Sequence, residues 1–220
     1  MERDKVAKEK KIPEPPVKDR VRFILASASP RRTLLLKQTG IEHEVLPACV
    51  DELSDVPSED PGDHVTILAE RKALAVAGSH PDALVLGADT VVYHKGEILG
   101  KPADFEDACR MVGRLSGDEH DVFTALALAG PGEIPVQSSF EVTRVRFRLL
   151  DPEHIKLYAG TGEPLDKAGA YGIQGYGATL VESVKGCYFN VMGLPLTRLI
   201  MMLAARGIDY PFGPLVVRND

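Results

Sequence analysis

A carboxylate stands where the chain ought to be wholly apolar. In Leu86–Gly87–Ala88–Asp89–Thr90–Val91–Val92, Asp89 interrupts a run whose composition predicts a strand buried on both faces. Burying a carboxylate is costly unless it is paired, hydrogen-bonded or bound to a metal. Ligands in open α/β sheets also collect at strand ends. Asp89 is therefore a candidate proton acceptor or metal ligand; a carboxylate capping a nearby turn is the structural alternative. Lys72 is out of place in the same way. Val65, Leu68, Ala69, Ala73 and Val76 form one stripe at helical spacing, and Lys72 falls inside it while Glu70 and Arg71 do not. Such a lysine either snorkels its stem over apolar surface or brings its ammonium to a buried anion.

Ser27–Ala28–Ser29–Pro30–Arg31–Arg32 ends one apolar run and opens a helical one. Free N–H groups and the helix dipole at that junction favour an anion. Two cations in a first helical turn are each unfavourable by roughly 0.3–1 kcal/mol, and a bound phosphate would reverse that sign. Both arginines pointing into water is the other reading. Lys101 follows Gly100, and Asp51 is followed by Glu52; each is a solvated loop group or a ligand for phosphate or a hard cation. Gly162–Gly177 carries five glycines around Asp166, Lys167 and Gln174, a composition that lets backbone approach a ligand closely. A flexible surface loop is the alternative there. Taken together, the basic residues and carboxylates fit a polyphosphate with magnesium better than a neutral ligand.

Other chemistries have weaker support. The six histidines lack zinc-site spacing, and no GxSxG elbow occurs. The Gly162–Gly177 segment is neither GxGxxG nor a Walker A sequence. Arg144, Arg146 and Arg148 share one strand face, which reads as solvated rather than as a nucleic-acid track.

These residues need elements to hold them. Strands are expected at Val21–Ala26, Glu42–Leu46, Ala83–Tyr93, a short segment ending near Leu99, Val122–Ala129, Val136–Leu149 and Ala178–Val184. A change of alternation between Val142 and Val145 predicts a bulge. Helices are expected at Pro30–Thr39 with Ser29 as N-cap, Gly62–Ala77, Asp104–Leu115, Asp151 to about Tyr158, and Pro195–Arg206. The alternation predicts α/β architecture, a mixed sheet with flanking helices.

The 220 residues suggest one domain, two-lobed at most. At 44% hydrophobic and 26% charged the chain can bury a core, and no apolar run approaches the roughly 18–20 residues a membrane span needs. Cys49, Cys109 and Cys187 lie far apart, which argues for a reducing compartment, here the cytoplasm, rather than a disulfide framework. The first 20 residues, rich in charge and in Pro13–Glu14–Pro15–Pro16, read as a disordered extension without the apolar core of a signal peptide. They hold seven of the 26 Lys/Arg and five of the 32 Asp/Glu, leaving the body a net −8, which disfavours a polynucleotide-binding domain. The body is expected over 21–210, followed by a C-terminal tail over 211–220.

Ser27–Ala28–Ser29–Pro30–Arg31–Arg32, Gly87–Ala88–Asp89–Thr90–Val91–Val92, Lys101–Pro102, Leu115–Ser116–Gly117 and the run from Glu163 to Gly175 resemble, in this order, the motifs of the Maf family of nucleoside triphosphate pyrophosphatases. The resemblance spans about Val21 to Arg206. It implies an elongated, two-lobed α/β fold with a central cleft, similar to inosine triphosphate pyrophosphatases. It implies cleavage between the α and β phosphates of dTTP or UTP, and of modified pyrimidine nucleotides, to monophosphate and pyrophosphate. By position, Asp89 matches the proton acceptor, and Lys72 and Lys101 match catalytic or triphosphate-contacting positions. Ser27, Ser29, Arg31, Arg32, Thr90 and Gln174 match substrate-binding positions; Arg31, Thr90 and Gln174 mark the dTTP/UTP-type branch. Asp51, Glu52 and Asp89 are the implied ligands of a divalent metal, magnesium or else manganese or cobalt. The family usually has Glu before a second acid where this chain has Asp51 before Glu52. Thr90 follows Asp89 on a strand, so its side chain points to the opposite face and reaches a nucleotide only if the strand ends or bends there. The expected partners are the triphosphate and, at most, a second copy of the chain, with neither nucleic acid nor membrane. A non-catalytic nucleotide-binding regulator of cell division is the competing function.

Overall fold

The run around Asp89 forms β3 (Leu84–His94), which organises the sheet. The computed structural model describes residues 19–50, 58–132 and 134–218; most of the expected N-terminal extension and the pair Asp51 and Glu52 lie outside them. On one edge of β3 runs β1 (Phe23–Leu25), parallel to it and to β2 (Glu44–Val45). β4 (Glu97–Leu99) folds back antiparallel on the same edge, through a tight turn in which Lys95 and Gly96 both have positive φ. On the other edge β5 (Glu119–Ala129), β6 (Gln137–Phe147) and β7 (Val181–Lys185) continue antiparallel. The result is the expected mixed sheet, ordered β2-β1-β3-β5-β6-β7 with β4 beside β3.

One face is covered by α1 (Pro30–Gln38), α3 (Phe105–Leu115), α4 (Pro152–Ala159) and α6 (Leu196–Ala205), the other by α2 (Pro61–Ala77). Asp60 caps α2 by accepting from the Gly62 and Asp63 amides. Val65, Ala69 and Ala73 of α2 pack on Val91, Ala125, Ala127 and Ala129. Gly87 lets the helix touch the strand: a Cβ there would lie 2.1 Å from the Ala69 carbonyl oxygen and 2.7 Å from the Ala73 nitrogen.

The opposite face carries two separate apolar clusters. In one, Leu35, Leu36, Leu199 and Leu203 pack on Leu84, Leu86, Leu126 and Leu128. In the other, Val112, Leu115 and Tyr158 pack on Val92, Val122, Val145 and Phe147. Between them Thr90, Thr124 and Thr143 bring hydroxyls to this face from β3, β5 and β6, joined by Asn190 from the short α5 (Tyr188–Val191). Thr124, Thr143 and Asn190 are fully buried.

Three expectations need correction. The β5–β6 register is unbroken, so there is no bulge between Val142 and Val145; the irregularity lies on the β7 side, between Arg146 and Phe147. The apparent change of phase is a change of covered face. Phe140 packs on Phe123 and closes over Gly62 on the α2 side, whereas Thr143, Val145 and Phe147 are buried on the other. Ser29 stands at the N-cap of α1 but its side chain makes no capping bond; its own amide donates to Ser27 Oγ instead. The expected tail, over the described residues 211–218, packs on the body. Leu215 is buried, and β9 (Val216–Val217) pairs with β8 (Ile208–Asp209). At the other end of the body, Arg20 bridges to Val216. No helix among the described residues is long and apolar enough to cross a membrane.

Candidate active site

β1 leaves β3 at Leu86 and β4 joins it at Val92. Between them this edge of β3 carries no strand among the described residues, and a cleft of about 940 Å³ opens over it. That gap solves the difficulty raised by Thr90. The strand does not end there, since β3 continues to His94; its neighbour ends. Asp89 and Thr90 leave opposite faces and still line one cleft. Ser27, Ser29, Arg31, Arg32, Lys72, Lys101 and Gln174 line it as well, so every expected site residue within the described segments is brought together.

On the α2 face, Lys72 Nζ donates to Asp89 Oδ1 at 2.7 Å, with the two side chains 8% and 11% exposed. Lys72 therefore reaches a buried anion rather than snorkelling to water. Asp89 Oδ2 accepts no hydrogen bond among the described residues. A buried pair of this kind keeps the carboxylate aimed, because breaking it would strand an unpaired charge.

The two arginines of α1 part company. Arg31 Nη1 reaches Asp166 Oδ2 at 3.2 Å, a partly exposed pair. Arg32 is buried: its Nε donates to Gly193 O at 2.7 Å and its Nη1 to Ser27 Oγ at 2.8 Å and Ala88 O at 2.9 Å. Its Nη2 donates to Thr90 Oγ1 at 3.1 Å. Arg32 thus takes the place of a missing strand, satisfying the Ala88 carbonyl on the open edge. Gly193 sits at φ 93°, where an L side chain is strained, and a Cβ there would also come to 3.2 Å of Thr90 Oγ1.

The glycine-rich segment is held by hydrogen bonds in short 3₁₀ turns, at Glu163–Asp166, Ala168–Ala170 and Gly175–Thr179. The Glu163 carboxylate accepts from the Tyr158 hydroxyl and from the Tyr176 and Gly177 amides. This clamp closes the base of the segment and presents Gln174 to the cleft. Behind it, the Tyr171 hydroxyl lies 2.7 Å from His120 Nε2. Burial pushes the Tyr171 hydroxyl up and His120 down to about 4, so this hydrogen bond joins two neutral groups near pH 7.

No three His, Cys, Asp or Glu side chains among the described residues are grouped to hold a metal ion; of the three expected ligands only Asp89 is described. By sequence Asp166 stands out only as a polar group of the glycine-rich segment, and Thr124, Asn190 and Gly193 lie outside all of the candidate motifs. Thr124 could have been found, because a lone hydroxyl inside the apolar run Val122–Ala129 raises the same burial question as Asp89. Asn190 and Gly193 meet Thr124 and Arg32 from far along the chain and leave no local signal.

A family model described as Maf-like protein matches residues 22–206. A dTTP/UTP pyrophosphatase of Pelotomaculum thermopropionicum is 48% identical over 187 residues, covering 85% of this chain and 97% of that one. A dTTP/UTP pyrophosphatase of Symbiobacterium thermophilum is 52% identical over 189 residues, 86% and 95% of the two chains. Among solved structures, the Staphylococcus aureus Ham1 protein is similar at 13% identity and a TM-score of 0.43, over 73% of this chain and 79% of that one. With a family match across nearly the whole described body and relatives at about half identity over nearly all of their length, this chain belongs to the Maf-like family.

Proposed function

We propose that this protein hydrolyses the α–β phosphoanhydride of dTTP and UTP, and of modified pyrimidine triphosphates, to monophosphate and pyrophosphate. The buried Lys72–Asp89 pair on an open strand edge carries the reading, and the names of the relatives support it. Asp89 accepts a proton from water as that water attacks the α phosphorus. The bond to the bridging oxygen breaks and pyrophosphate leaves. Lys72 holds Asp89 in line. Arg31 and Lys101 offset the charge of the triphosphate. The Arg31–Asp166 pair is partly exposed and so weak enough to exchange for a phosphate contact. Ser27 and Ser29 line the phosphate end, and Thr90 and Gln174 meet the base.

A divalent cation fits this site. Magnesium is held through one or two carboxylates plus substrate phosphates. A carboxylate has about four acceptor positions, so the Lys72 bond leaves Asp89 room for both a cation and a water. Asp89, with Asp51 and Glu52, would hold magnesium, or manganese or cobalt, which would neutralise phosphate charge when bound. We place the protein in the cytoplasm, acting alone or as a homodimer, without nucleic acid.

The test is product analysis with dTTP and UTP in excess magnesium. Monophosphate and pyrophosphate in equal amounts are expected. Diphosphate and inorganic phosphate would overturn the assigned bond, and tight binding without turnover would favour a non-catalytic regulator.

A further inference from the structure

Thr90 is one member of a closed hydrogen-bond ring, and the ring has a direction. The Thr90 and Thr124 hydroxyl oxygens lie 2.9 Å apart, and the distance alone does not say which donates. Thr124 Oγ1 also lies 2.8 Å from the Asn190 carbonyl oxygen, which can only accept. The single proton of Thr124 is therefore spent on Asn190, and Thr124 must accept from Thr90. On the other side Arg32 has donors only, so its Nη2 donates to Thr90. The ring closes because Gly193 accepts from Arg32 Nε through its carbonyl and donates its amide to the same Asn190 oxygen at 2.9 Å.

Thr90 has thus given its proton to Thr124 and one lone pair to Arg32. One lone pair remains, on the ring hydroxyl that lines the cleft. We infer that Thr124 is a positioning residue for base selection, committing Thr90 to meet the base as an acceptor only. This rests on the proposed role of Thr90 at the base. An acceptor-only group pairs with the N3–H that uracil and thymine share. Cytosine presents a lone pair at N3, which would face another lone pair. The selecting element lies one layer below the cleft, since Thr124 is fully buried and cannot touch a nucleotide.

Thr124→Val keeps the shape and removes the acceptor, so the Thr90 proton becomes available to the cleft. The preference for UTP over CTP, as a ratio of kcat/KM on one preparation, is expected to fall about tenfold, mostly through KM. Thr124→Ser restores the hydroxyl and should keep the preference. Thr124→Cys, whose thiol is a weaker acceptor, replaces the Val variant if that variant does not fold. Thr90→Val should lower the same ratio, and adding Thr124→Val to it should lower it no further. An unchanged ratio in Thr124→Val, or an equal loss in Thr124→Ser, overturns the relay while the proposed role of Thr90 stands. An unchanged ratio in Thr90→Val removes Thr90 from the base and overturns both.

Discussion

On the α2 face of β3, Asp89 is held by one ammonium beside an apolar layer. One residue later, the opposite face holds Thr90 in a ring of hydroxyls and backbone groups closed by a guanidinium. Both faces open on one cleft because the neighbouring strand stops short. The difference teaches a division of labour. The charged face can move a proton and changes state when it does. On the other face the Thr90 and Thr124 hydroxyl protons are both committed within the ring, which suits recognition rather than proton transfer at the cleft. Adjacent residues on a single strand thus supply reaction and selection, each tuned by its own packing layer.

The largest expected effect breaks the charged face alone. Asp89→Asn should keep the fold and lose roughly 10²–10⁴-fold in kcat, because a carboxamide cannot accept the proton. A thermal melt alongside the kinetics separates this from unfolding; near-native kcat would make Asp89 structural. Lys72→Met tests what holds it. Leaving Asp89 buried and unpaired should cost about 3 kcal/mol in urea unfolding. The same variant in the Asp89→Asn background should cost far less, and an equal cost in both would show that the pair does not support the fold.

The opposite face should show itself in acid. Burial lowers His120 to about 4, while the unfolded chain holds that proton below about 6.5. Stability from this group is therefore complete above pH 6.5 and is lost as pH falls from 6.5 toward 4, about 2 kcal/mol by pH 5. Urea titrations at pH 7 and pH 5 should differ by that much more in the parent than in His120→Phe. The smallest effect concerns the base. Gln174→Glu should lower kcat/KM for UTP and dTTP about tenfold relative to purine triphosphates, since a carboxylate lacks the amide's donor. Equal losses on pyrimidines and purines would assign Gln174 to the phosphates or to the loop.

Much of the charged face was legible in the sequence. Asp89 stands out by the cost of burying a charge inside an apolar run, and Lys72 by its place inside an apolar helical stripe. Their meeting at 2.7 Å joins those two local anomalies. The other face was less legible. Sequence alone leaves Arg32, like Arg31, either an anion ligand or a solvated side chain, whereas its bonds run to Gly193 and Ala88, distant in sequence. No local pattern encodes such pairing. The β6 alternation misled because period-two reasoning assumes one covered face, whereas Phe140 is covered by α2 and Val145 by the opposite layer. Lys101 and Gln174 have only weak local signals, a loop lysine after Gly100 and a polar residue among glycines, and the family resemblance adds their roles.

The stretch of β3 edge that no strand covers among the described residues bears on the protein's behaviour in a crowded solution. An unpaired strand edge is a template on which another chain can add, and long flat apolar edges invite aggregation. Here the template is only the stretch from Gly87 to Val91. It is recessed in a cleft, and the Arg32 guanidinium already occupies the Ala88 carbonyl. Asp89 adds a charge that an incoming strand would have to bury. The features that open the sheet to a small ligand therefore also close it to a polypeptide, so colloidal safety comes from the same residues as the site.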